Sequence, residues 1–203
     1  IVYLDIYFTF NRVGMSSIQN SELIINEDGS VFHLHLKPGQ VGETVILVGD
    51  PGRVKAISAY FDLIEVEVQN REFISHTGTM RGKRVTVIST GIGTDNIDIV
   101  LNELDALVNI DFNTRQLKTT LTSLNIVRIG TSGSLQKDLP VNSWLLTHKS
   151  IGFDGLLNFY HGRDGVCDLS FEKSFVKAVD WNPQLTTPYV CNGSDILIKR
   201  LSS

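Results

Sequence analysis

The chain contains little cysteine, and this limits the chemistry that it can carry. Cys167 and Cys191 are its only cysteines in 203 residues, and they lie in no metal-binding or redox spacing. We interpret both as small, buried, apolar residues of a protein from a reducing compartment, so we expect a cytoplasmic location. The net charge is −4, and no block of Lys or Arg indicates a nucleic-acid or membrane surface.

The N-terminal run of apolar and aromatic residues, 1–10, does not have the features of a membrane or targeting segment. It is too short to span a bilayer as a helix, and it lacks the basic region and the cleavage site of a signal peptide. Met15 opens a polar stretch of ordinary composition. We therefore expect Met15 to be the true start, residues 1–14 to be a non-native or disordered extension, and residues 15–203 to form a single α/β domain.

Apolar runs and turn signals alternate along the remainder of the chain in the way that is typical of α/β domains. A hairpin signal at Gly82 predicts that the sheet is mixed rather than purely parallel. Asp95 or Asn96 is a candidate N-cap, and Trp144 and Trp181 are expected to pack in or near the core. The predicted strands are 44–48, 64–68, 73–80, 84–89, 124–127, 143–147 and 189–191; the predicted helices are 54–61, 97–108 and 171–179; residues 109–123 and 151–165 are predicted loops.

Glycine-rich loops follow three of the predicted strands, at residues 49–53, 90–93 and 130–133. Glycine allows a ligand to approach the backbone closely, and the C-terminal edge of such a sheet is where ligands bind. Arg53 and Arg128 stand at the edges of two loops, which favours an anion. Because no loop has the Walker or the Gly-x-Gly-x-x-Gly pattern, we expect phosphate or a small phosphorylated group.

Four stretches of the sequence, which include these three loops, resemble the nucleoside phosphorylases in order and spacing, and most closely the uridine phosphorylase branch. The resemblance extends roughly from residue 31 to residue 160 and implies a three-layer α/β/α fold with a central mixed β-sheet. The stretches are Gly49-Asp50-Pro51-Gly52-Arg53, Arg71-Glu72-Phe73, Ser89-Thr90-Gly91-Ile92-Gly93 and Arg128-Ile129-Gly130-Thr131-Ser132-Gly133.

The resemblance also implies a site and an assembly. It implies catalytic roles for Arg128 and Thr131, and a homodimer-based oligomer, up to a hexamer, in which Arg71 and His33 enter the neighbouring subunit's site. Inorganic phosphate is the expected co-substrate, with no cofactor and no metal. Phosphate is expected to bind to Gly49, Arg53, Arg71, Arg128 and Thr131, and the nucleoside to His33, Thr90, Gly91, Ser132 and Gly133.

Individual residues also allow simpler interpretations. Taken singly, Arg53 and Arg71 are typical of surface ion pairs, and His33 of a packed or solvated histidine. Glu72 matches a position that the family uses near a monovalent cation, but Asn96 replaces the usual serine, which places that ion in doubt.

No Ser/His/Asp arrangement is needed, because in phosphorolysis phosphate itself is the nucleophile.

The resemblance fails toward the end of the chain. The Gln-x-Arg and Glu-Met-Glu segments, with which the family binds the base and the ribose, are absent. We therefore expect a chain truncated after its last strand, with no terminal helix. Three alternatives stay open: a nucleosidase of the same fold, a purine nucleoside phosphorylase, and an inactive phosphate-binding relative.

Overall fold

The computed structural model describes residues 2–4 and 17–202, with side chains from residue 17 onward. The expectations for Met15 and for most of residues 1–14 therefore lie outside the described residues. The chain divides into two compact units: a first unit of residues 5–130, and a second unit of residues 1–4 and 131–203.

Regular structure alternates between strands and helices along both units. The strands are β1 (Val2–Leu4), β2 (Thr44–Val48), β3 (Leu63–Asn70), β4 (Phe73–Met80), β5 (Lys83–Ser89), β6 (Ile110–Asp111), β7 (Gln116–Leu117), β8 (Asn125–Ile129), β9 (Lys149–Gly152) and β10 (Tyr189–Asn192). The α-helices are α1 (Gly52–Ser58), α2 (Thr94–Asn109), α3 (Leu169–Ala178) and α4 (Asp195–Ser202), and 3₁₀ turns occupy Leu156–Phe159 and Arg163–Gly165.

The sheet of the first unit is mixed, as predicted. Its strands lie in the order β8-β2-β5-β4-β3. Strand β2 pairs in parallel with β5 and β8, whereas β4 pairs antiparallel with β3 and β5. The hairpin between β4 and β5 turns at Arg81 and Gly82, both with positive φ, which is the geometry of a tight two-residue turn.

The two helices of the first unit cover opposite faces of this sheet. Successive side chains of a strand point to opposite faces. Val45 and Leu47 of β2 accordingly pack in the cluster that contains Val100, Leu104 and Leu107 of α2. Val48 instead packs with Val54 of α1. Helix α1, the sheet and helix α2 therefore form the three layers of the predicted α/β/α fold.

Two local predictions in the first unit are wrong. Helix α2 begins after Gly93, which takes the N-cap position with φ 113° and no side-chain cap, so neither Asp95 nor Asn96 is the N-cap. Residues 109–123 are not only loop, because β6 and β7 pair there as a short antiparallel hairpin. Arg115, in the turn of this hairpin, donates from Nε to the backbone oxygen of Ile18 at 2.7 Å and so holds the segment that begins at Ser17.

The second unit differs from the sequence prediction in more places. Residues 143–147 form no strand; the strand here is β9, which pairs antiparallel with β10. Trp144 is 88% exposed instead of packed, whereas Trp181 stacks on Phe153 with ring centroids 5.5 Å apart. Helix α4 follows β10, which contradicts the expectation that no terminal helix follows. Across the described residues, no helix has the length and the apolar character needed to cross a membrane.

Candidate active site

Three strand ends of the first unit meet at one edge of the sheet. Val48 lies opposite Ser89 of β5 and Ile129 of β8, so the residues that follow all three strands leave the sheet side by side. A Cβ built on Gly49 would lie 3.7 Å from the Gly91 oxygen and 3.9 Å from Arg128 Nη2. The predicted convergence of these loops is therefore confirmed as far as Gly130, the last residue of the first unit.

The guanidinium group of Arg128 lies at this edge and has a hydrogen-bond donor without a partner among the described residues. This group lies beside Gly130, whose hypothetical Cβ would be 3.7 Å from Arg128 Cζ. The Nη1 atom is buried and has no hydrogen-bond partner among the described residues. A buried donor without a partner is costly unless a ligand satisfies it, and a guanidinium fork is suited to the oxygens of phosphate.

Arg53 lies in helix α1, directly after the Gly49 loop. Asp50 closes this loop, because its Oδ1 accepts from the Gly52 backbone nitrogen at 2.8 Å and its backbone oxygen accepts from the Arg53 nitrogen at 3.1 Å. The Arg53 side chain is half-buried, and within residues 17–202 it makes no ion pair. The surface ion pair that Arg53 alone would suggest is therefore not formed in this part of the chain.

Thr90 fastens the middle loop to the end of β2. Its backbone nitrogen donates to the Val48 oxygen at 2.8 Å, and its buried hydroxyl lies 3.3 Å from the same oxygen and 3.0 Å from the Gly91 oxygen. The following Gly91 has a φ of 66°, which a side chain would strain. These contacts fix the backbone of Thr90 and Gly91 at the loop edge.

Arg71 occupies the tight turn between β3 and β4, with a φ of 53°. Ser89 supports this turn, since its hydroxyl donates to the Glu72 oxygen at 2.6 Å and accepts from the Ile74 nitrogen at 2.7 Å. The exposed Arg71 guanidinium lies over the Phe32 ring at 5.8 Å from its centroid. Arg71 is thus held beside Phe32 by a cation–π contact.

His33 is oriented by a carboxylate on helix α2. Glu103 Oε1 lies 2.7 Å from His33 Nδ1, and the two Glu103 oxygens also accept from the backbone nitrogens of His33, at 2.9 Å, and Leu34, at 2.8 Å. A carboxylate only accepts hydrogen bonds, so Nδ1 donates to Glu103 and the contact fixes the orientation of the ring. Asn70, next to Arg71, donates to the His33 oxygen at 2.8 Å, which joins the two predicted residues in one cluster.

A cavity of about 570 Å³ lies beside this cluster in the first unit. Phe32, His33 and Glu103 line it, together with helix α2 and the segment that Arg115 holds. None of Gly49, Arg53, Thr90, Gly91 or Arg128 contributes to its wall. The cavity therefore belongs to the His33 side of the unit and is separate from the loop edge that Arg128 occupies.

Comparison with known proteins assigns the family. The sequence profile of the Phosphorylase superfamily matches residues 43–193, most of the chain.

The chain belongs to the Phosphorylase superfamily.

Individual relatives agree with this assignment. The chain is 28% identical over 156 residues to a uridine phosphorylase of Thermococcus kodakarensis, covering 76% of this chain and 51% of the relative. It is 36% identical over 122 residues to a DeoD-type purine nucleoside phosphorylase of Clostridium perfringens, covering 59% and 46%. The chain thus spans about half the length of these curated relatives.

A solved structure of the superfamily also superimposes well. It is a nucleoside phosphorylase of Trypanosoma brucei, described as showing uridine phosphorylase activity. The TM-score is 0.72 with 31% identity, and the match covers 89% of this chain and 60% of the trypanosomal one. The central mixed sheet with flanking helices is therefore the superfamily fold.

Asn96 contacts Glu72, the residue that the family resemblance places near a monovalent cation. The Asn96 amide nitrogen donates to Glu72 Oε1 at 2.9 Å and to the Ile92 oxygen at 3.3 Å. It also fills the space beside Gly91, whose hypothetical Cβ would lie 2.8 Å from Asn96 Nδ2. An amide donor thus bonds to one oxygen of the Glu72 carboxylate at the position where the resemblance suggests serine.

The remaining predicted site residues lie at the start of the segment 131–203 of the second unit. Thr131, Ser132 and Gly133 follow Gly130 directly and are exposed. Their roles in binding phosphate and nucleoside stay predictions.

Sequence reasoning missed Glu103 and Phe32. Glu103 did leave a signal, because it is an acidic residue within the buried face of α2, next to Leu104, and buried acids are rare unless paired.

Proposed function

We propose that this chain carries the phosphate-binding half of a nucleoside phosphorylase site. In the reaction, a phosphate oxygen attacks C1′ of the ribose while the N-glycosidic bond breaks. The bonding electrons leave with the base, which takes up a proton, and the products are the free base and ribose 1-phosphate. The protein's task is to hold the dianion beneath C1′ and to stabilise developing charge.

The observation that carries the proposal is the unpartnered guanidinium of Arg128. Its buried Nη1 has no acceptor among the described residues, while its Nη2 lies against Gly49. The carboxyl ends of three parallel strands meet here, and Arg53 lies in the first turn of helix α1, directly after the Gly49 loop. A phosphate here would satisfy the buried donor and lie against backbone that glycine leaves accessible.

Uridine is the nucleoside that we propose first. The structure that superimposes at a TM-score of 0.72 is described as showing uridine phosphorylase activity. A purine nucleoside is the second candidate, because the Clostridium perfringens purine enzyme is the more identical of the two curated relatives, at 36% against 28%.

A base-release assay tests the reaction type. The protein is incubated with uridine, inosine or adenosine, each with and without phosphate, and the free base is quantified. We expect release only in the presence of phosphate, and fastest from uridine. Equal release without phosphate would identify a nucleosidase. No release from any nucleoside, together with calorimetric phosphate binding that Arg128→Met abolishes, would identify a phosphate-binding relative. Preferential release from inosine or adenosine would assign the purine branch.

We further propose that sites are shared across a two-fold dimer. Arg71 and His33 lie in one cluster around Phe32 and Asn70, and both would point into the neighbouring subunit's site. A two-fold interface makes such a contact reciprocal.

Mixing two inactive variants tests the shared site. Arg71→Ala and Arg128→Ala homodimers each have two damaged sites. In a mixed dimer, one site carries both changes and the other carries none. Activity should therefore return toward about half per dimer at full pairing. If mixing restores nothing under conditions where labelled subunits demonstrably exchange, Arg71 acts within its own subunit.

A further inference from the structure

The two cysteines face each other across a short antiparallel pairing in the second unit. Cys167 and Cys191 are direct partners in an antiparallel bridge, although they are far apart in the sequence. Both thiols are free. The sequence predicted two small, buried, apolar residues; Cys191 is buried and Cys167 is half-buried.

The backbone pattern around the pair is the one that brings side chains closest. Asp168, the residue after Cys167, donates its backbone N–H to the oxygen of Val190, the residue before Cys191, at 2.8 Å. The hydrogen bond therefore joins the neighbours of the two cysteines and not the cysteines themselves. In an antiparallel ladder, this makes Cys167 and Cys191 a non-hydrogen-bonded pair. Such pairs have Cα atoms about 4.5 Å apart, inside the roughly 4.4–6.8 Å range of disulfides.

We propose that Cys167 and Cys191 form a reversible cross-strand disulfide when the protein meets a small-molecule disulfide as oxidant. The thiolate of the first cysteine attacks one sulfur of the oxidant, and a thiolate leaves and is protonated. The second protein thiolate then attacks the mixed disulfide and releases the second small thiol. Two protein thiols are oxidised to one disulfide, and one small disulfide is reduced to two thiols.

The burial of the pair decides which thiol reacts first. Cys167 is half-buried, whereas Cys191 is buried, so the oxidant reaches Cys167 first and Cys191 resolves the mixed disulfide. Burial, with smaller contributions from Cys191 and Glu172 that outweigh that of Arg163, raises the pKa of Cys167 to about 12. The thiolate is scarce at neutral pH, so the exchange is slow there and accelerates in alkaline buffer.

Closing the disulfide requires little movement, because the surrounding segments are already fastened. The buried Glu172 of α3 accepts from the Val190 nitrogen at 2.9 Å and from Arg163 Nη2 at 2.8 Å. The new bond joins the start of α3 to β10 and encloses residues 168–190. A loop of roughly 25 residues should raise the melting temperature by about 5–10 °C.

Thiol counting after oxidation tests the proposal. The protein is equilibrated at alkaline pH with excess oxidised glutathione, denatured, and titrated for free thiols, with a peptide map of the product. We expect loss of both thiols, a Cys167–Cys191 cross-linked peptide lighter by two hydrogens, and a higher melting temperature that dithiothreitol reverses. The matched variants C167S and C191S should give only a mixed disulfide and no such gain.

Refolding in a glutathione redox buffer provides a second route that does not depend on access to the buried pair. If both routes leave two free thiols, or if wild-type protein yields only mixed or intermolecular disulfides, the proposal is wrong.

Discussion

Glu103 provides the most direct test of how the structure holds its candidate site. Its carboxylate is 7% exposed and accepts from the backbone nitrogens of His33 and Leu34 and from the His33 ring. Glu103→Leu keeps the bulk on helix α2 but leaves those donors without an acceptor. Each unsatisfied buried donor costs about 1–3 kcal/mol, so for three donors we expect a loss of about 3–9 kcal/mol in unfolding free energy.

The variant Glu103→Gln removes the negative charge of the side chain but keeps its size and shape. The amide retains one acceptor oxygen but presents an N–H₂ group to one of the two backbone donors. Because a hydrogen bond to a charged group contributes about 1.5–3 kcal/mol, the loss should fall in that range, below that of Glu103→Leu. Urea unfolding followed by circular dichroism measures both variants, and Asp95→Asn, an exposed change on the same helix, is the control expected within about 0.5 kcal/mol.

The same substitution should affect function selectively. With Glu103 in place, the His33 ring is held in one orientation, and Nε2 is left for the ribose hydroxyl that the proposed function assigns to it. Glu103→Gln should therefore raise KM for the nucleoside and leave KM for phosphate unchanged. The reasoning fails if Glu103→Leu unfolds at the same urea concentration as the Asp95→Asn control.

The remaining predictions concern Arg128, the packing of the sheet, and stability in acid. Arg128→Met should weaken phosphate use by about 1.5–3 kcal/mol, roughly 10- to 150-fold in kcat/KM for phosphate; unchanged phosphate kinetics would remove Arg128 from the site. Gly78→Ala should cost about 1–3 kcal/mol or more in denaturant melts, because its Cβ would collide with a β3 carbonyl, whereas Gly165→Ala, with open space around it, should be neutral. Hydrogen bonds from Ser30 lower the pKa of Asp28 to about 2. The pKa of Asp28 in the folded state therefore lies below its value of about 3.9 in the unfolded chain. The ionised Asp28 thus stabilises the folded state above about pH 4, and this stabilisation is lost toward pH 2. Urea midpoints between pH 2 and 5 should therefore fall less steeply in Asp28→Asn than in wild type; identical slopes would show that Asp28 contributes nothing.

The strands of the first unit were predictable because their sequence signal is local. Thr44–Val48 is a short apolar run between turn residues, and the observed β2 has those bounds. Phe73–Met80 was equally clear, because turn residues flank it on both sides. The convergence of Gly49 and Arg128 at one edge followed from the same reasoning, since the ends of their strands place them side by side.

The errors arose where a distant partner decides the outcome. Residues 143–147 have strand-like composition but form no strand, while β9 begins just after them, at Lys149, because it pairs with β10. Asn96 suits an N-cap, yet its amide is bonded to Glu72 on another turn. Propensity cannot report such contacts, because they depend on which segments the fold brings together.

Helix α2 explains why the residues expected to serve a neighbouring subunit have a fixed geometry. Its first turns carry Asn96, which holds Glu72 and thereby the turn of Arg71. Two turns later it carries Glu103, which fixes the His33 ring and the backbone that follows it. A single rigid element thus positions two side chains that arrive on separate segments of the chain. Since a histidine beside a cavity would otherwise sample several rotamers, fixing the His33 ring lowers the entropy that a shared site loses on binding.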